Sequence, residues 1–231
     1  MEPGAFPCGG PELISPIWQP SPNFTARRDG LVPSLVVIHY TAMESVEAAL
    51  ERLCDPEAEV SAHYLIGGDG QLWQMVEESQ RAWHAGAGEW AGLSDINSRS
   101  IGIELDNRGT HPFAEPQMAV LEELLAGIMG RWSIGPEGVI GHSCMAPGRK
   151  CDPGPRFDWA RLARQGLAVE TPGVTGKTFH DLARAAGFTA DVSDADLLEA
   201  VRLRFRPWGQ GALCEADLDA LRGSAPGGLG A

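Results

Sequence analysis

Basic residues are scarce in this chain: 18 lysines and arginines face 31 aspartates and glutamates, for a formal net charge of −13. Without a basic face there is no electrostatic grip on phosphate backbones or anionic lipid, which excludes nucleic-acid binding and non-specific membrane attachment. Long hydrophobic runs are missing too; none approaches the roughly 18 apolar residues of a membrane span. The opening residues, MEPGAFPCGGPELISP, have neither a basic n-region nor an apolar h-region, so no secretory leader is visible. Cys8 follows Pro7 without the hydrophobic stretch a lipoprotein signal needs. The five cysteines are odd in number and irregularly spaced, which argues against a disulfide framework and for a reducing compartment. The expected location is the cytoplasm. No internal repeat is found.

What is present suits a soluble globular protein: 231 residues, 43% hydrophobic and 21% charged, enough for one large core or a domain with a smaller companion. Residues 1–33 are proline-rich without periodicity and read as an irregular arm. SLVVIHY, Ser34 to Tyr40, is a continuous β-branched run and predicts a buried central strand. Ser45 caps a predicted helix to about Cys54, and Ser193 opens a later helical pattern, DLLEAVRLRFRPW. AHYLIG and QLWQMV flank Gly68-Asp69-Gly70 as a hairpin, and SIGIEL, Ser100 to Leu105, is a further strand. Met118, Leu121, Leu125, Ile128 and Met129 recur at helical spacing within Glu115 to Trp132. GVIGH, Gly138 to His142, predicts a short strand, and a helix follows Trp159. The expected fold is α/β: a mixed central β-sheet flanked by helices, with a small C-terminal all-helical module. The predicted divisions are an arm (1–33), a main domain (34–168), a linker (169–176), the helical module (177–222) and a disordered tail (223–231). The aromatic residues of LRFRPW are expected in the module's core, and the module, whose own core is marginal, is expected to lean on the main domain.

The stretch GHSCMAPGRKCDPGPRFDW, Gly141 to Trp159, is too rich in proline and glycine for regular structure and carries a metal-ligand vocabulary. His142, Cys144, Cys151 and Asp152 are all candidate ligands. His39 closes the apolar run Leu35 to Ile38, and His142 closes GVIG; strand ends of this kind form the ligand-binding edge of a parallel or mixed sheet. Two such histidines could face each other across neighbouring strands, with a loop carboxylate completing a metal site. Each histidine alone fits ordinary hydrogen-bonded structure as well. His63, inside AHYLIG, reads as core or groove wall.

Taken in order, VVIHYTA, VSAHYLI, RAWHAG, INSRSIGIEL and the loop above resemble the zinc-dependent N-acetylmuramoyl-L-alanine amidases of the type-two family, which share a fold with the peptidoglycan recognition proteins. The resemblance runs from about Ser21 to Trp159. The helical segment after the linker is similar, more weakly, to the peptidoglycan-binding-like domain of some members. The resemblance implies Zn²⁺ held by His39, His142 and Asp152, a catalytic carboxylate at Glu104 and a transition-state-stabilising lysine at Lys150. It places Trp83 and His84 along a substrate groove, with peptidoglycan fragments or muropeptides as partners. Members commonly carry an aspartate where this chain has Cys144. The implied activity is hydrolysis of the amide between N-acetylmuramic acid, or its 1,6-anhydro form, and L-alanine; the other reading is a catalytically silent peptidoglycan binder. The residue types suit hydrolysis. Two neutral imidazoles and one carboxylate leave zinc net positive, a nearby carboxylate can move the proton of water, and a fixed cation can meet the oxyanion.

Overall fold

The computed structural model describes residues 15–223. Its strands are β1 Ile17–Trp18, β2 Phe24–Ala26, β3 Leu35–Tyr40, β4 Tyr64–Ile66, β5 Leu72–Gln74, β6 Gln80–Ala82, β7 Ser100–Leu105 and β8 Val139–Gly141. Six of them form one sheet in the order β1-β5-β4-β7-β3-β8, while β2 and β6 pair apart from it. β3 lies parallel to both β7 and β8, β4 parallel to β7, and β1 parallel to β5. Only the β4–β5 hairpin makes the main sheet mixed. The β-branched run of β3 therefore sits between two partners, with Val36, Val37 and Ile38 fully buried.

The helices are α1 Val46–Cys54, α2 Ile96–Arg99, α3 Glu115–Trp132, α4 His142–Met145, α5 Trp159–Arg164, α6 Phe179–Ala185, α7 Asp194–Phe205 and α8 Glu215–Arg222. The caps read from sequence are in place. Ser45 accepts a hydrogen bond from the Ala48 N–H at the start of α1, and Ser193 accepts from Asp196 at the start of α7.

Side chains alternate across a strand, and β3 shows how that divides the core. Val36 and Ile38 join the cluster built with Met118, Leu121, Leu125 and Ile128 of α3 and with Trp159 and Leu162 of α5. Leu35 and Val37 join a second cluster with Ile140, Met145, Phe179, Leu182, Leu197, Val201 and Leu221. The C-terminal helices thus share a core with the sheet. A third cluster packs Ala49 and Leu53 of α1 against Leu65 and Trp73. By the same alternation His39 points to the face that carries Leu35 and Val37.

Four expectations change. The arm is not wholly irregular: β1 adds an edge strand to the main sheet and β2 pairs with β6. Strands of two or three residues are too short to show a period. The strand expected to end at His142 stops at Gly141, and His142 opens α4, so the loop holds one helical turn. Trp208 is 74% exposed rather than in a core, because it sits in the turn beyond the end of α7; Phe205 does pack, edge-on to Phe188. The segment 169–176 is tied down at Val174, whose N–H donates to the Leu221 carbonyl at 3.1 Å. Residues 1–14, with Cys8, and 224–231 lie outside the described residues, and with them the expected disorder of the tail.

Candidate metal centre

Three elements meet at the carboxyl end of the sheet. β3 delivers His39, the start of α4 delivers His142, and the Gly141–Trp159 segment turns back so that the Ser143 N–H donates to the Asp152 carbonyl at 3.0 Å. Gly141 makes that return possible, since a Cβ there would lie 2.7 Å from the ring of Pro153. The result is a buried triangle. His39 Nδ1 stands 2.9 Å from His142 Nδ1 and 2.9 Å from an Asp152 carboxylate oxygen, and His142 Nδ1 is 3.0 Å from the same oxygen.

The proton positions follow from the outer partners. His142 Nε2 faces the Ala85 carbonyl at 2.9 Å, and a carbonyl only accepts, so the proton is on Nε2. On the other side the Ser100 hydroxyl donates to the Ile96 carbonyl at 2.6 Å, which leaves its oxygen to accept from His84 Nε2 at 3.2 Å. His84 Nδ1 then accepts from His39 Nε2 at 3.0 Å. Burial, followed by the nearby His142, pushes the His39 imidazole down to about 4, so it is neutral across the physiological range. Burial and then His39 also hold His84 well below the ordinary histidine value. Both Nδ1 atoms therefore present lone pairs to a carboxylate oxygen at contact distance. Three converging lone pairs repel unless a cation lies among them. Donor atoms of a tetrahedral site with bonds of about 2.0–2.1 Å stand about 3.3 Å apart, close to the observed spacing. The donor set fits a metal ion. Among the described residues it is also the only such cluster, and neither Cys144 nor Cys151 joins it. Cys144 is buried in the cluster under the C-terminal helices, and that burial raises its thiol. The Cys151 thiol lies 3.1 Å from the Tyr40 hydroxyl.

Glu104 pairs with His39 in the β3–β7 register, and residues paired in a parallel sheet share a face. One of its carboxylate oxygens is buried and has no hydrogen-bond partner. Burial, with the Asp152 charge adding to it and Lys150 opposing, raises the Glu104 carboxyl to about 8. A cavity of about 400 Å³ opens over the triad, lined by Glu104, Trp83, His84, Lys150 and, from α1, Arg52 and Leu53. Lys150 is exposed at its side, and the buried indole N–H of Trp83 is unpartnered. His63 is fully buried away from the triad, accepting from the Gly102 N–H at 3.0 Å and facing Arg27 and the Gln80 carbonyl.

All seven site residues expected from sequence therefore come together around one cavity. Sequence reasoning did not find Ala85, which acts through its backbone carbonyl, or Ser100 and Asn97, which act through side-chain oxygens; none carries a local signal, and RAWHAG marked only the neighbourhood.

A cation cradle of two imidazoles and one carboxylate, open to a cavity and flanked by an unpartnered carboxylate, defines a metal-assisted hydrolase. Residues 29–155 match the family described as N-acetylmuramoyl-L-alanine amidase, and the chain belongs to that family. It is 39% identical over 181 residues to the N-acetylmuramoyl-L-alanine amidase AmiD of Escherichia coli, an alignment covering 71% of this chain and 63% of that protein. It is 36% identical over 160 residues to the 1,6-anhydro-N-acetylmuramyl-L-alanine amidase AmpD of Citrobacter freundii, covering 62% of this chain and 86% of that one. The fold is similar to that of E. coli AmiD solved with anhydro-N-acetylmuramic acid-L-Ala-D-γ-Glu-L-Lys, with a TM-score of 0.72, 31% identity, and coverage of 84% of this chain and 90% of that chain. It is likewise similar to Pseudomonas aeruginosa AmpDh3 solved with an anhydromuramic pentapeptide, with a TM-score of 0.73, 30% identity, and coverage of 82% and 89%.

Proposed function

We propose that this chain hydrolyses the amide bond between N-acetylmuramic acid, or its 1,6-anhydro form, and L-alanine in muropeptides, in the turnover or recycling of cell wall. The observation that carries the reading is the triangle of His39, His142 and Asp152 beside the unpartnered Glu104. The anhydromuramyl peptides held by the AmiD and AmpDh3 structures support the substrate class.

Zn²⁺ is the ion we assign to the triad, on the strength of its nitrogen and oxygen donors and its three-ligand count. Zinc bound there supplies Lewis acidity that polarises the scissile carbonyl and brings water to nucleophilic strength near neutral pH. Glu104 receives the proton of the attacking water on its unpartnered oxygen and returns it to the departing L-alanine nitrogen. Its carboxyl, raised to about 8 chiefly by burial, would be brought down by a dication held at the triad and would then be ionised as the role requires. Lys150 places a fixed ammonium at the cavity, suited to the oxyanion that develops on the carbonyl. The Trp83 indole N–H is free to donate to a carbonyl of the substrate, and His84 lines the same wall. A cytoplasmic site of action belongs to this reading, supported by the free state of Cys54, Cys144, Cys151 and Cys214. No helix among the described residues is long and apolar enough to cross a membrane.

The test is incubation of the purified protein with an anhydromuramyl tripeptide, with and without chelator, followed by chromatography. Release of free stem peptide that stops on chelation and resumes with zinc is the expected result. Binding without cleavage under all conditions overturns the reading in favour of a silent binder.

A further inference from the structure

The dipeptide His84–Ala85 touches both histidines of the triad from behind. His84 Nδ1 accepts from His39 Nε2 at 3.0 Å, and the Ala85 carbonyl accepts from His142 Nε2 at 2.9 Å. Two adjacent residues thus fix the tautomers of both imidazoles. The dipeptide is itself held. Asn97, a buried residue of α2, uses one side-chain oxygen to accept from the His84 N–H at 3.1 Å and the Ala85 N–H at 2.8 Å. Arg149, from the loop that carries Asp152, donates to the Ala85 carbonyl at 2.7 Å and also to the Ala87 carbonyl. The His84 ring packs against β7 at Gly102, where a Cβ would come within 2.4 Å of it. Each contact constrains the same short segment.

We infer that His84–Ala85 is an outer frame for the metal site, and that His84 and Asn97 are positioning residues that fix the tautomer and ring orientation of His39 and His142. The physical reason is that a histidine binds a cation only through an unprotonated nitrogen. Committing the Nε2 protons outward keeps both Nδ1 lone pairs pointed inward, at no ordering cost when the ion arrives. Asn97 serves both histidines through one atom, because its oxygen fixes the peptide that carries both acceptors. Nothing in the chemistry of bond cleavage requires His84 to touch substrate.

The inference rests on a metal at the triad and not on what the enzyme cleaves, so it is tested on zinc affinity. The full-length protein is stripped of metal, and zinc is titrated against a chromophoric chelator for the wild type and four variants. In His84→Asn the amide oxygen takes the place of Nδ1 and keeps the acceptor; in His84→Leu the acceptor is lost. Asn97→Asp keeps an oxygen for the two N–H groups and Asn97→Leu removes it. Loss of an outer partner typically weakens metal binding by about 10–100-fold, and that loss is expected for both leucine variants. The asparagine and aspartate variants are expected to bind zinc substantially more tightly than their leucine counterparts. Melting of the metal-free proteins, compared across the pairs, separates misfolding from loss of positioning. Wild-type zinc affinity in a folded His84→Leu, or His84→Asn binding as weakly as His84→Leu, overturns the inference. A protein that cleaves no muropeptide yet shows this ranking retains the frame and loses only the substrate reading.

Discussion

At the scale of single residues, the division of labour between Glu104 and the triad makes the sharpest test. Glu104 holds an unpartnered oxygen and is no member of the ligand cluster, so Glu104→Gln should keep both fold and zinc while losing the proton acceptor. General acid–base catalysis is typically worth about 10²–10⁴-fold, and kcat should fall by that order with KM changing little. Lys150→Ala should cost roughly 10²–10³-fold in kcat if its charge meets the oxyanion. Zinc content measured beside each rate decides the matter: a zinc-loaded Glu104→Gln with wild-type kcat makes the carboxylate a bystander. His39 and His142 were legible because each follows an apolar strand where packing asks for no imidazole. Spacing points to a loop carboxylate beside the two histidines but leaves Cys144 and Cys151 as candidates, and it is the resemblance that singles out Asp152. The face shared by Glu104 and His39 depends on the β3–β7 register, and the inward-facing lone pairs depend on hydrogen bonds to the Ala85 carbonyl and the His84 ring. Neither is written in residue type.

At the scale of elements, α3 is legible to its ends from its apolar spacing, and α1 and α7 from their caps. β1, β2, β6 and α2 are not, because two to four residues hold no period and no turn or apolar run marks them as the Gly68-Asp69-Gly70 turn marks β4 and β5 and GVIG marks β8. The α7–α8 pair shows a feature that composition conceals. Asp217 is fully buried and receives Arg202 at 2.7 and 2.8 Å, Arg206 at 2.7 Å and the Cys214 N–H at 3.0 Å. Removing one partner of a buried pair strands the others, so Asp217→Ala should lower unfolding free energy by about 3–5 kcal/mol in denaturant titration. The hydrogen bonds from Arg202, which outweigh the burial, hold the Asp217 carboxyl well below the usual range. A depressed carboxyl binds its proton more weakly folded than unfolded. Its stabilisation is therefore complete above the ordinary aspartate value of about 3.9 and is lost as pH falls below it toward the depressed value. The mutant should accordingly show less acid sensitivity than the wild type between about pH 4 and pH 2. Equal slopes would show that the carboxyl is not depressed.

For the molecule as a whole, the question is whether residues 177–222 form a separable module. The sequence placed a linker before them, and the expectation that they lean on the main domain follows from how little core three short helices can make. Their packing goes further. Phe179, Leu182, Phe188, Leu197, Val201 and Leu221 share one cluster with Leu35 and Val37 of β3, Ile140 of β8, and Cys144 and Met145 of α4. α4 is the element that starts at His142, so one side of it faces the triad and the other is buried beneath the C-terminal helices. Cutting the chain after residue 168 would bare the second face of the sheet beside the metal site, and exposed apolar surface of that kind leads to collapse or association. The full chain should melt in a single transition followed equally by tryptophan fluorescence and far-UV circular dichroism. A chain ending at residue 168 should lose that cooperative transition, aggregate more readily, and bind zinc more weakly because α4 no longer has a floor. A milder probe is Phe188→Ala, which removes a ring packed against Trp90 and Phe205 and should cost about 3–5 kcal/mol as a buried aromatic truncation. If the shortened chain instead stays monomeric, melts with the full chain's midpoint and binds zinc equally well, the helices are an appendage and the sheet's second face is stable without them.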